Sequence, residues 1–132
     1  MDEAMRNELL LNSKTIAVVG ASPNTHRPSN WISSYLMDQG YTVIPVNPGH
    51  ETLFGLKCYP DLESIEAKID IVNIYRRSDQ VIPIIESAIK QSTAKLIWMQ
   101  DNVYNERAAE IATEAGMSVV MNDCIYRVHS RL

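Results

Sequence analysis

The sequence predicts a doubly wound α/β fold: a single domain on a mainly parallel five-stranded sheet, Rossmann-like, with helices on both faces. Three observations predict it. Short apolar, β-branched runs recur along the chain, segments of helical period stand between them, and Gly40 and Gly116 close two of those segments just before the next strand.

The elements follow in order. Residues 1–13, beginning MDEAMRNELLLN, form a helical extension ahead of the first strand, which is predicted at Thr15 to Val19. A loop from Gly20 to Ser29 leads into a helix whose apolar face carries Trp31, Ile32, Tyr35 and Leu36. The second strand runs from Thr42 to Val46 and the third from Ile69 to Ile74. A helix with Pro83 in its first turn follows, its apolar face made of Val81, Ile84, Ile85, Ala88 and Ile89. The fourth strand spans Leu96 to Met99, the next helix carries Ala108, Ile111 and Ala115, and Ser118 to Val120 completes the sheet. Trp31 and Trp98 are expected in the core, and Ile125 and Val128 near a homodimer contact or an unidentified protein partner.

Bulk properties exclude several classes. A length of 132 residues with 45% hydrophobic content suits one core, so residues 1–132 are read as a single domain. A net charge of −4 offers no bulk attraction to nucleic acid. No apolar run approaches the roughly 20 residues needed to cross a bilayer. Cys58 and Cys124 stand far apart without metal-ligand spacing, which suits a reduced, cytoplasmic protein without disulfide or metal.

In such sheets ligands bind beyond the carboxyl ends of the strands, where strand order reverses. After strand one the chain reads Gly20, Ala21, Ser22, Pro23, Asn24, Thr25, His26, Arg27, and then a helix begins. A small-residue turn feeding a helix N-terminus presents free N–H groups to a phosphate, and Arg27 and His26 add cationic donors. Ser22 and Thr25 replace the later glycines of the dinucleotide fingerprint, so the same loop also reads as a plain strand-to-helix turn.

At the end of strand two stand Asn47 and Pro48, where an NAD-binding protein usually carries an acidic ribose clamp. A neutral residue there tolerates an additional phosphate on the ribose, such as the 3′-phosphate of coenzyme A, and is equally compatible with a turn. Beyond Ile74 come Tyr75, Arg76 and Arg77. Arginine's planar fork suits phosphate, and strand alternation would turn only one of the pair to a ligand; a solvated pair balanced by Asp79 and Glu86 is the competing reading.

No nucleophile, base and oxyanion site can be assembled into a catalytic set. Cys124 and Cys58 read as buried filler, His50 and His129 as surface residues, and the Walker pattern is absent.

Six segments resemble the CoA-binding domain family: VVGASPN at 18–24, VIPVNP at 43–48, GLKCYPDL at 55–62, YRRSDQV at 75–81, LIWMQ at 96–100 and GMSVVMNDC at 116–124. The same fold forms the nucleotide-binding part of the succinyl-CoA synthetase alpha subunit, and this chain resembles a stand-alone version. The resemblance implies that Gly20, Ala21, Ser22 and Pro23 lie along a pyrophosphate and that Asn47 and Pro48 border the adenosine ribose. It also implies that Tyr75 and Arg76 line the cleft, with Gln100 near the pantetheine arm. Asp101-Asn102 and Asn122-Asp123 depart from the Leu-Gly and Asp-Arg common in that family. The expected activity is capture of coenzyme A or an acyl-CoA by a non-catalytic module. The alternatives are an NAD(P)-binding enzyme, or a thiol regulator forming a mixed disulfide with CoA.

Overall fold

In a computed structural model that describes residues 1–132, the chain forms one five-stranded parallel sheet flanked by helices. Its strands are β1 (Thr15–Val19), β2 (Thr42–Val46), β5 (Ile71–Ile74), β6 (Leu96–Met99) and β7 (Ser118–Val120), in the spatial order β2-β1-β5-β6-β7. The helices are α1 (Glu3–Asn12), α2 (Pro28–Asp38), α3 (Val81–Gln91), α4 (Glu106–Glu114) and α5 (Ile125–His129). The predicted fold class is therefore the observed one. β5 begins two residues later than expected, with Ile69 and Asp70 buried just ahead of it.

Strand alternation sorts the core into two layers. Ile16, Val18, Val43, Ile71, Leu96 and Trp98 face α1, α2 and α5. Ala17, Val19, Ile44, Val72, Ile97 and Met99 face α3 and α4. Pro45 sits in β2, which is tolerated because β2 is the sheet's edge. The start of β1 is clamped by Asp70, whose carboxylate accepts the N–H groups of Lys14 and Thr15 at 2.8 and 3.1 Å. Burial pushes that carboxyl up, but these two bonds and the Lys68 and Lys95 charges outweigh it and hold the group below its ordinary value.

Three expectations need correction. Trp31 is 42% exposed rather than core, because the buried stripe of α2 runs through Ser29, Ile32, Ser33 and Leu36 and leaves position 31 outside it. Ile125 and Val128 are buried against α1 and α2, so they serve this core and are not available to a dimer. His129 is half-buried, its Nδ1 2.7 Å from the Tyr35 hydroxyl, and burial lowers its pKa from the ordinary value. The sequence reading also passed over a small hairpin, β3 (Thr52–Leu53) with β4 (Leu56–Lys57). Its turn residues Phe54 and Gly55 both have positive φ, 57° and 72°, a geometry usually signalled by Asn-Gly rather than Phe-Gly.

Candidate functional site

The chain enters β1 centrally, returns through α2 to β2 on one side, and then crosses to β5 on the other. Loops leaving β1 and β5 therefore diverge, and a cleft opens between them. It measures about 470 Å³ and is walled by the carboxyl ends of β1, β2, β5 and β6.

At the end of β1, Gly20 has a φ of 89°, and a Cβ there would collide with the carbonyl oxygen of Tyr75. The glycine is thus required by the close approach of the β1 and β5 ends, whatever the cleft holds. The loop beyond it is stitched by turns: Asn24 N–H donates to Ser22 Oγ at 3.1 Å, His26 N–H to Asn24 Oδ1 at 2.9 Å, and Asn30 Nδ2 to the Ser22 carbonyl at 2.8 Å. The N–H groups of Ala21, Ser22 and Ser29 donate to no acceptor within the protein. Side chains of Asp2 and Asn105 cap α1 and α4, whereas α2 has no side-chain cap and starts with Pro28. Its positive dipole end is left bare at the cleft wall.

Asn47 borders the cleft with both ends of its amide engaged, Nδ2 donating to the Ala21 carbonyl and Oδ1 accepting from Gly49 N–H, both at 2.8 Å. It ties the β2 loop to the β1 loop as well as making a turn. Pro48 lies around the corner in a second, smaller cleft of about 210 Å³, walled by Val46, Pro60 and Ile84. Pro23 faces a separate depression beside the β3–β4 hairpin, and His26 is exposed outside the cleft lining.

Both Arg76 and Arg77 border the main cleft, not one of them. Alternation fails there because the strand ends at Ile74 and the backbone turns into a short 3₁₀ helix, Ser78–Gln80. They differ in partners. Arg77 lies 3.5 Å from Asp79, both side chains about three-quarters exposed, while Arg76 is half-buried, forms no ion pair and separates the two clefts. Glu86 pairs with neither arginine. Arg27, at the start of α2, likewise has no carboxylate partner.

The floor is polar. Gln100 is buried, its Oε1 accepting from Asn73 Nδ2 at 3.2 Å and from Ile125 N–H at 3.3 Å. Asn73 Oδ1 and the Tyr75 hydroxyl are buried without a partner, and burial, followed by the Cys124 and Asp101 charges, pushes the Tyr75 phenol far up. At the β6 end Asp101 receives both arms of Arg127, at 3.1 and 2.9 Å. Arg127 also reaches Asp123 at 2.9 Å, and Asp123 lies 3.5 Å from Arg6.

No catalytic set converges on this cleft. Cys58 and Cys124 are both buried, neither bonds a histidine, and burial pushes the Cys58 thiol above its ordinary range. No group of three His, Cys, Asp or Glu side chains gathers to hold a metal. No helix is long and apolar enough to cross a membrane. Sequence reasoning missed Ser29, Val103 and the second cleft with its unpartnered Ser87 hydroxyl. Pro28, marking the first helical position, was the available signal for Ser29.

Fold and site together define a doubly wound module with a cleft at its switch point, fringed by unspent backbone N–H groups and unpaired arginines. The chain belongs to the CoA binding domain family, whose model matches residues 14–130. It is 39% identical over 123 residues to the uncharacterized protein YneT of Bacillus subtilis, covering 93% of this chain and 90% of that one. A hypothetical protein from Pyrococcus horikoshii superimposes with a TM-score of 0.95 at 41% identity, over 100% of this chain and 92% of the other. The chain is also 24% identical to an ADP-forming acetate–CoA ligase of Archaeoglobus fulgidus, over 95% of its own length but only 20% of the ligase.

Proposed function

We propose that this protein binds coenzyme A or an acyl-CoA in the switch-point cleft as a binding, carrier or regulatory module inside the cell, without chemistry of its own. The observation that carries the reading is the pair of uncompensated arginines, Arg27 and Arg76, bordering one cleft together with the start of α2, which has no side-chain cap. Such a constellation suits a polyphosphate: the free N–H groups of Ala21, Ser22 and Ser29 receive the pyrophosphate, and arginine forks take the remaining charge. The 3′-phosphate goes to Arg76, which stands between the main cleft and the smaller one. The Pro48, Pro60 and Ile84 walls of the latter suit a flat adenine ring, and the unpartnered Ser87 hydroxyl suits a ring nitrogen. The pantetheine arm then runs across Gln100 toward Asp101.

An NAD(P) reading is less well supported. Asn47 is neutral and its amide is held by backbone at both ends, so the position offers no carboxylate to clamp ribose hydroxyls. Calorimetric titration with CoA, dephospho-CoA, NAD and NADP at fixed salt tests the assignment. CoA binding that weakens on loss of the 3′-phosphate is expected; if none of the four binds, the assignment is wrong.

A further inference from the structure

We propose that the exposed aromatic pair Trp31 and Tyr126, one turn beyond the cleft lining on α2 and at the start of α5, receives the acyl group of a CoA thioester, making the protein selective for compact apolar acyl-CoA over free CoA. This rests on the CoA reading above and deepens it.

The two side chains are 42% and 36% exposed, and their rings stand edge to face with centroids 5.2 Å apart. Tyr35, one turn further along α2, touches Tyr126 at 4.8 Å and His129 at 5.5 Å. The contacts thus step forward together along both helices, so α2 and α5 run side by side in the same direction, their N-termini at the same end of the sheet. Side chains on a helix lean toward its N-terminus. Both rings therefore lean toward the loops that wall the cleft.

Chain continuity places each ring next to residues tied to the cleft. Trp31 follows the cleft-lining residues Arg27 and Pro28 by one turn. Tyr126 precedes Arg127, whose guanidinium holds the lining residue Asp101. A thiol end carried across Gln100 to Asp101 reaches the residue held by Arg127, the chain neighbour of Tyr126.

The surroundings select the occupant. Tyr35 braces Tyr126, and Trp31 packs on Tyr126 edge to face, so a pre-set aromatic corner is offered to solvent. On the Tyr126 side the cation is Arg127, already committed to Asp101 and Asp123. Arg27, one turn before Trp31, is taken by the phosphates in the reading above, so an acyl group ending in a carboxylate meets on the Tyr126 side only the two acidic residues, which oppose it. An uncharged apolar acyl group gains contact instead, up to about 4-fold in affinity per fully buried methylene.

Calorimetry with CoA, hexanoyl-CoA and succinyl-CoA reads the selectivity, with wild-type protein and the Trp31→Ala variant. Hexanoyl-CoA is expected to bind about 10-fold more tightly than CoA, on the partial burial of its chain, and succinyl-CoA no more tightly than CoA. In Trp31→Ala the hexanoyl-to-CoA ratio falls to about 1. The emission of wild-type protein supplies a readout independent of the variant, since Trp98 is fully buried and Trp31 alone responds to a ligand on the surface. A hexanoyl-specific blue shift is expected. Equal affinities for CoA and hexanoyl-CoA overturn the acyl site while leaving the CoA reading intact; no binding of any ligand overturns both. A wild-type dimer that dissociates in Trp31→Ala assigns the pair to a second copy of the chain and overturns the acyl site.

Discussion

The two flanks of the cleft use arginine in opposite ways. On the β1–β5 flank, Arg27 and Arg76 border the cleft with no carboxylate partner. On the β6–α5 flank, Arg127 is spent on Asp101 and Asp123, and Asp123 is also approached by Arg6, forming a chain of charges that ties the cleft rim to α5 and then to α1. One flank keeps its positive charge available while the other has already neutralised it internally. A polyanion is attracted to the first and has nothing to gain at the second. The residue type alone does not distinguish a binding group from a structural one; its partners do.

The contrast is broken most strongly at Gly20, on the open flank but needed by the fold. Gly20→Ala places a methyl group against the Tyr75 carbonyl at a φ of 89°. Backbone strain and overpacking together predict a loss of roughly 3 kcal/mol in urea denaturation. A stable variant would show that the β1 and β5 ends can part without cost. Arg76→Ala is the complementary case, a change in binding with little change in folding. Loss of a charged phosphate contact costs about 1.5 to 3 kcal/mol of CoA affinity, whereas a partnerless surface group contributes within about 0.5 kcal/mol to stability. Unchanged affinity in calorimetry would move the 3′-phosphate to Arg27 or Arg77.

Much of the fold was legible because strand burial left continuous apolar runs such as Thr15–Val19 and Leu96–Met99, and because Gly40 and Gly116, with φ of 97° and 92°, mark where helical segments stop. The hairpin was not, since two-residue strands show no alternation and Phe54 occupies a left-handed position that it rarely adopts. Around the cleft, the strand ends identified Gly20, Tyr75, Arg76 and Gln100 as neighbours. What the sequence withheld was which charges are cancelled. Arg76, Arg77 and Arg127 look alike along the chain, and only contacts such as Arg127 to Asp101, 26 residues apart, separate them. Trp31 was misjudged for a related reason: an apolar residue one step off a helix's buried stripe is indistinguishable in composition from one within it.

The committed flank makes its own prediction, smaller and dependent on pH. Hydrogen bonds from Arg127 hold the Asp101 carboxyl below its ordinary 3.8. The folded chain then binds fewer protons there than the unfolded chain, so the stabilisation is complete above that ordinary value and is lost as pH falls through the depressed one. Arg127→Gln should flatten the acid limb of the urea midpoint below about pH 4 while shifting CoA affinity by less than about 2-fold, because this arginine is not available to phosphate. An affinity loss comparable to that of Arg76→Ala would mean that the ligand recruits Arg127 away from its carboxylates, and the distinction between the flanks would fail.

The smallest effect on stability is expected at Arg77, which belongs to the open flank by position but resembles the committed one by partnership. Its link to Asp79 is 3.5 Å long, with side chains 75% and 73% exposed, and such pairs are largely screened by solvent. Arg77→Ala should therefore change stability by less than about 0.5 kcal/mol and CoA affinity by no more than about 3-fold, the residue of a long-range attraction that 0.5 M salt would remove. Equal losses for Arg77→Ala and Arg76→Ala would show that phosphate out-competes Asp79 for the guanidinium. Partnership in the free protein would then be a poor guide to which arginines bind, and the cleft would have to be described by position alone.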